Sequence, residues 1–175
     1  QRASRPETTE MLAVDDRQEK VDGFMEEGLA TSHDAAGCCG FRVTLPGERR
    51  MAIATGLGVM TDPVFDMLLD NHLVALEANY DREMLRTGPY PYYLKRRIDS
   101  ARGHLSNEES AATVAALIAS GCRKVAMCHL SKENNHPHRV KDAIDSALFT
   151  AGMRLPEDCA VQISRRYEVS PWMDF

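Results

Sequence analysis

Short apolar runs alternate with helical patterns over most of this chain, and this alternation limits the possible folds more than any other feature. Phe41–Leu45 alternates like a half-buried strand, a Pro-Gly turn follows, and Met51–Thr55 runs back as the second arm of a hairpin. Further along, His72–Ala78 and Lys124–Cys128 are apolar runs of strand length, and helical patterns lie between and after them. Strands that alternate with helices after an opening hairpin predict a layered α/β architecture.

Capping residues place the predicted helices. Asp62 and Pro63 have the chemistry of a helix start, and the predicted helix extends to Leu69. Ser106 begins a Ser-Asn-Glu-Glu segment that caps a long helix, which Gly121 closes. Two more helices and one more strand are predicted: Leu94–Ser100, His136 to about Gly152, and Cys159–Arg166.

The length of 175 residues is that of one domain. Residues 1–22 are polar and charged without a clear period, so we expect a poorly structured connector there and the domain over residues 23–175. The net charge of −5 disfavours a broad basic surface for nucleic acid, although Lys95, Arg96 and Arg97 form a local basic cluster beside three tyrosines. That cluster fits either a nucleic-acid lip or the solvated face of an amphipathic helix.

Cysteine content and hydropathy predict the compartment. The five cysteines are odd in number and lack paired spacing, which favours a reduced, cytoplasmic protein. Cys38, Cys39 and Cys128 are interpreted as small apolar residues rather than metal ligands. No apolar run approaches the roughly 20 residues of a membrane helix, and no signal peptide is predicted, so we expect no membrane association.

A small motif occurs twice, as Gly103-His104-Leu105-Ser106-Asn107-Glu108 and again as Cys128-His129-Leu130-Ser131 followed by Lys-Glu-Asn-Asn. The first histidine comes just before a predicted helix, and the second comes just after a predicted strand. A third, His33, precedes the hairpin. Such element ends line the ligand-binding edge of an α/β sheet, so three histidines there suggest a metal site.

These motifs, taken with four others in a fixed order, resemble a known family. The others are Ser32–Gly37, Ile53–Thr55, Glu77–Asp81 and Met84–Pro91. Together they resemble the C-terminal half of a metallo-β-lactamase-fold hydrolase, an αββα sandwich. They are most similar to its bacterial YycJ/WalJ-like branch, which is related to RNase Z. The resemblance covers residues from about 20 to 150.

The resemblance implies a two-metal site, with zinc or manganese, and hydrolysis of a phosphodiester in DNA by a nuclease or exonuclease. By the same resemblance His33 and His129 match metal ligands. His104 matches the histidine that protonates the leaving group, and Glu77 matches the acid that orients it. Histidine suits the proton-transfer role because its pKa lies near neutral pH.

Two departures from the family pattern accompany the resemblance. The family's His-x-His-x-Asp-His motif is absent, and Gly56 stands where the family has an aspartate that bridges the metals. One hypothesis is therefore a metal-dependent hydrolase completed by a complementary N-terminal half or by a second copy in a homo-oligomer. The alternative is a catalytically inactive association domain, or one half of a split enzyme.

Each candidate residue also has a purely structural interpretation. His33 fits a turn beside the strand, His129 a core position satisfied by backbone, and His104 a helix cap together with Ser106. Glu77 fits an ion pair with Lys95 or Arg97 as well as support for His104. For the three other histidines, His72, His136 and His138, we predict no function, because strand and helix starts usually carry solvated side chains.

Overall fold

Seven strands form one sheet in the computed structural model, which describes residues 18–21, 23–155, 157 and 159–175. The strands lie side by side in chain order. The first four pair antiparallel, and β4 to β7 pair parallel. Their bounds are β1 Gln18–Val21, β2 Phe24–Ala30, β3 Cys39–Leu45, β4 Arg49–Ala54, β5 Leu73–Glu77, β6 Lys124–Cys128 and β7 Ala160–Ile163.

Five helices connect the parallel strands: α1 Asp62–Leu68, α2 Arg82–Thr87, α3 Tyr92–Ile98, α4 Asn107–Ala119 and α5 Pro137–Thr150. Connections between parallel strands are almost always right-handed. When such connections advance in one direction across a sheet, they place their helices on the same face. The buried side chains of α1, α4 and α5 accordingly share one core with alternate residues of β4, β5 and β6, among them Ala52, Leu76 and Met127.

The opposite face of the sheet carries apolar side chains that this helical layer does not cover. Phe41, Ile53, Ala75 and Ala126 are paired neighbours across four strands and form a row on that face. Ile53 is 38% exposed, and the other three are partly exposed. Among the described residues, helices cover only one face of the sheet, so the other face exposes this apolar row.

Most of the elements predicted from the sequence are confirmed. The hairpin is β3 and β4, the two apolar runs are β5 and β6, and α4 begins with the predicted capping box. In that box Ser106 Oγ accepts from the Glu109 N–H, and the Glu109 carboxylate accepts from the Ser106 N–H. The prediction that Asp62 caps α1 is wrong by one residue, because Thr61 is the last residue with extended backbone.

Three elements were not predicted from the sequence. They are α2, which has six residues, β2, whose middle carries two glutamates, and the short edge strand β1. Of the predicted connector, residues 1–17 and 22 lie outside the described residues, whereas Gln18–Val21 pairs with β2 as the edge strand. Among the helices described, none is both long enough and apolar enough to cross a bilayer.

Candidate metal and catalytic site

The carboxylate of Glu77, at the end of the central strand β5, accepts five hydrogen bonds in a fully buried position. Oε1 accepts from the Leu57 and Leu105 N–H groups at 2.8 and 3.0 Å. Oε2 accepts from the Gly56 N–H at 3.0 Å. The same oxygen lies 3.2 Å from His104 Nδ1 and 2.9 Å from His129 Nδ1. One carboxylate therefore holds both histidines of the repeated motif.

The hydrogen bonds to Glu77 keep its carboxyl group ionised. Burial by itself raises its pKa, but the bonds from His104, His129 and the Leu105 N–H outweigh that effect and lower the pKa to about 2. A carboxylate offers only acceptors, so Nδ1 of each imidazole carries the proton. In the neutral rings the Nε2 lone pairs are then available to a metal or to a proton.

Backbone carbonyl oxygens, rather than a carboxylate, hold the His33 ring. Its Nδ1 lies 2.9 Å from the Gly103 carbonyl oxygen and 3.1 Å from that of Arg102. A side chain at Gly103 would lie 2.1 Å from the Ile98 oxygen, so only glycine lets the chain pass there. The His33 ring centroid is 4.5 Å from that of His104, which is 5.1 Å from that of His129. The three imidazoles form a continuous row.

The backbone after β5 explains why the two copies of the motif meet. Asn79 donates its N–H to the Leu105 oxygen and accepts from the Ser131 N–H, so it bonds to both copies. The buried side chains of Asn107 and Asn135, one from each copy, exchange two amide hydrogen bonds of 2.9 and 2.8 Å. The repeated sequence is therefore a pair of similar turns that pack on one segment.

His129 has a backbone φ of +54°, which non-glycine residues rarely adopt. The Asn79 side chain donates to its carbonyl oxygen at 3.0 Å, and Glu77 holds its ring. Residues in this region of φ and ψ cost of order 1 to 3 kcal/mol and occur often at functional sites. The strained backbone aims the imidazole toward the carboxylate.

The three histidines line a cleft of about 400 Å³. The outer wall comes from α3 and the loop before it, with Tyr90, Leu94 and Arg97. Arg97 makes a bidentate ion pair with Asp34, with N–O distances of 2.6 and 2.8 Å. The Arg97 guanidinium lowers the pKa of Asp34 to about 2. This pair, which the sequence analysis did not identify, links α3 to the turn that carries His33.

The space next to Gly56 is filled by a thiol. A Cβ at Gly56 would lie 2.6 Å from Cys38 Sγ and 3.4 Å from the His33 Cβ. The Gly56 φ of +67° further disfavours a side chain. The position where the family has an aspartate thus has neither the room nor the backbone conformation for one here.

The structure brings together most of the residues predicted from the sequence. Ligand atoms of Glu77, His104 and His129 lie within 4.8 Å of one another, which makes them a possible metal-binding group. His33 is adjacent to His104 but is not part of that group. Because Glu77 already accepts five hydrogen bonds, we interpret it as the group that orients the imidazoles rather than as a metal ligand.

The remaining histidines lie apart from this arrangement, and the cysteines take no part in it as ligands. His72 accepts from the Arg50 N–H, and His136 caps α5. No disulfide joins any two of the five cysteines. Burial and the nearby Glu77 charge raise the pKa of Cys128 to about 11, so its thiol stays protonated at neutral pH and is a poor metal ligand.

Sequence comparison finds relatives but no matching family model. The chain is 32% identical over 139 residues to the exodeoxyribonuclease YycJ of Bacillus anthracis, a match that covers 79% of this chain and 52% of the relative. It is 35% identical over 145 residues to the exodeoxyribonuclease WalJ of Streptococcus pneumoniae, with coverage of 83% and 52%. The chain spans about half the length of these relatives.

Solved structures agree with this similarity. The metallo-β-lactamase-fold protein YhfI from Bacillus subtilis superposes with a TM-score of 0.60 at 16% identity, over 86% of this chain and 50% of that one. The chain therefore has part of the metallo-β-lactamase fold. Zn²⁺-bound PqqB from Methylobacterium extorquens gives a TM-score of 0.51 at 15% identity, with coverage of 85% and 47%. One sheet with one helical layer is the part of the αββα sandwich that this chain supplies, as the sequence resemblance predicted.

Proposed function

We propose that this chain provides part of a metal-dependent hydrolase site that cleaves phosphodiester bonds in DNA. The observation that carries the proposal is the buried Glu77 carboxylate, which fixes the tautomers of His104 and His129 and leaves both Nε2 atoms available. The similarity to two exodeoxyribonucleases supports DNA as the substrate. The domain over residues 23–175 and a cytoplasmic location remain part of this proposal.

In this proposal His129 and His33 hold the metal through Nε2, and His104 exchanges a proton with the leaving oxygen. Glu77 sets the tautomer of His104, because its carboxylate accepts from Nδ1 at 3.2 Å and leaves Nε2 to exchange the proton. A metal held by His129 and His33 would lower the pKa of a bound water molecule and polarise the phosphoryl oxygen.

The donor set fits a divalent metal in kind but is incomplete. Imidazole nitrogens suit zinc and manganese, and a catalytic zinc site usually has three protein ligands. His33 and His129 supply two, and Gly56 supplies none. We therefore propose that the remaining ligands come from a second polypeptide segment.

The open face of the sheet is where we place that segment. Its apolar row of Phe41, Ile53, Ala75 and Ala126 has the character of a surface that another sheet covers, since stacked sheets bury such rows about 10 Å apart. We propose either a complementary N-terminal half or a second copy of this chain as the occupant. The coverage of about half of each relative favours the complementary half.

The first test is metal binding by the purified chain. We expect weak binding of Zn²⁺ or Mn²⁺, which titration calorimetry detects, and its loss in a His129→Asn variant, because asparagine tolerates the positive φ of this residue. His136 and His138 approach each other with Nδ1 atoms 2.5 Å apart, so His138→Ala controls for metal bound outside the cleft. Binding that His138→Ala abolishes and His129→Asn leaves intact would contradict the assignment.

The second test is hydrolysis of end-labelled DNA by the chain, alone and mixed with the N-terminal half of a relative. We expect metal-dependent cleavage in the mixture and its loss in the His104→Ala variant. The filled space beside Gly56 favours a second candidate function, an association domain without catalysis. Complex formation without cleavage under any metal condition would support that candidate.

A further inference from the structure

Helix α3 separates the histidine cleft from a second groove on its outer side. Leu94, Arg97 and Ile98 face the cleft. Tyr92, Lys95 and Arg96 instead line a groove of about 530 Å³ against α2. The same short helix therefore borders both the candidate site and an outer surface.

The outer surface combines exposed aromatic rings with cationic groups. Tyr92 is 73% exposed and Tyr93 is 74% exposed. Lys95 donates to the Arg86 carbonyl oxygen, and the Arg96 guanidinium lies 6.0 Å from the centre of the Tyr92 ring. Tyrosine rings at this level of exposure contribute little to the core, so the place of Tyr92 beside two cations needs another explanation.

The two cations of this surface differ from the neighbouring arginines, which are paired with carboxylates. Arg97 is paired with Asp34, Arg86 with Glu83, and Arg82 with acids that include Asp99. Among the described residues no carboxylate lies within 4.0 Å of the Lys95 or Arg96 side-chain nitrogens. In a chain with a net charge of −5, this leaves a local positive surface on the outer side of the helix that borders the cleft.

We propose that the outer face of α3 binds an unpaired nucleic-acid strand as it passes into the histidine cleft. This rests on the proposed function for the identity of the cleft. Tyr92 and Tyr93 would stack on bases, and Lys95 and Arg96 would contact phosphates. Stacking on a side chain requires bases whose faces are free, so the surface favours a single strand over a duplex.

The experiment measures binding of a fluorescent oligothymidylate to the full chain by anisotropy, with a chelator present so that nothing is cleaved. Loss of one stacked base corresponds to roughly 5- to 150-fold in affinity. We therefore expect Tyr92→Ala/Tyr93→Ala to weaken binding at least fivefold. The matched control is Tyr167→Ala, since Tyr167 is 80% exposed and lies in the C-terminal segment.

The cationic groups are tested by the salt dependence of the same binding. Each phosphate contact on a single strand contributes about 0.7 to the slope of log affinity against log salt. Lys95→Ala/Arg96→Ala should therefore reduce the slope by about 1.4. The control Lys141→Ala/Arg165→Ala removes two exposed, ion-paired cations elsewhere and should leave the slope nearly unchanged. Circular dichroism confirms that each variant is folded.

Either of two binding results would overturn the proposal: affinity unaffected by both α3 variants, or equal dependence on α3 for duplex DNA and for heparin. The second result would show a general polyanion surface. Because the assay needs neither metal nor cleavage, binding through α3 without hydrolysis would refute the proposed function alone. Cleavage that is insensitive to the α3 variants would refute only the present inference.

Discussion

Replacing Glu77 with glutamine changes one buried oxygen into an amide group and leaves the size of the side chain nearly unchanged. The amide oxygen can still accept from Leu57 and Leu105, as Oε1 does now. The new NH₂ group then faces three donors, namely the Gly56 N–H and the two imidazole Nδ1–H groups. Donors that face donors cannot form hydrogen bonds.

The two imidazoles can respond by moving their protons to Nε2, but the Gly56 N–H cannot. A buried donor left without a partner costs about 1 to 3 kcal/mol, and the lost charge-assisted bonds add to that. Each lost bond to a charged group contributes about 1.5 to 3 kcal/mol, so the orphaned donor and one such bond together cost about 2.5 to 6 kcal/mol. We expect Glu77→Gln to lower the free energy of unfolding by about that amount.

The same proton movement would change metal binding. An imidazole that carries its proton on Nε2 cannot ligate through that atom, so we expect zinc affinity to fall by about 10- to 100-fold. Urea unfolding of the metal-free protein measures the first effect, and calorimetry and nitrogen NMR of the histidine rings measure the second. Glu83→Gln, on the surface of α2, is the control and should cost less than about 1 kcal/mol.

The reasoning would be refuted if Glu77→Gln unfolded within about 1 kcal/mol of the unmodified protein and kept its Nδ1–H tautomers. That result would show that the carboxylate does not determine the protonation of the histidines. A loss of stability with unchanged tautomers would support the structural role of Glu77 and refute its control of the histidine tautomers.

Three further predictions follow from the same region. The pKa of Glu77 is about 2 in the folded protein against the usual 4.5. The ionised carboxylate therefore stabilises the fold fully above pH 4.5, and this contribution disappears as the pH falls toward 2. Measurements of the unfolding free energy against pH should show a loss of about 3 kcal/mol that is absent in Glu77→Gln. Gly56→Asp should lower the thermal midpoint without strengthening zinc binding, and Cys38→Ala should recover part of that stability; higher zinc affinity in the single variant would contradict the steric argument. Ser106→Ala should cost about 1 kcal/mol in urea unfolding, and no change would mean that the capping box is dispensable.

Local patterns made much of the fold predictable. Lys124–Cys128 is a continuous apolar run, and Ser106 and Glu109 have the spacing of a capping box, so a few neighbouring residues determine each element. By contrast, β2 has glutamates in its interior because Glu27 pairs with Arg42 on the next strand, 3.3 Å away. No local pattern indicates a partner that lies 15 positions along the chain.

The site shows the same division between local and distant information. The repeated motif indicated His104 and His129, and the family resemblance indicated Glu77 and His33. That one carboxylate holds both histidines depends on the β5–β6 pairing, which the sequence does not reveal. The packing of the Cys38 thiol against Gly56 likewise depends on a contact between two loops. The ion pair of Asp34 with Arg97 joins residues 63 positions apart.

The chain-order arrangement of the strands has a consequence for the sequence of folding events. Most strands pair with a partner that is close along the chain, so those loops close at low entropic cost. The connection from β5 to β6, which holds α2, α3 and α4, is the longest in the sheet. Glu77 lies at one end of that connection, and His129 follows the strand at its other end. We therefore expect the hairpin to form early and the carboxylate–histidine cluster to form late, so a refolding intermediate would contain native sheet structure before it acquires the capacity to bind metal.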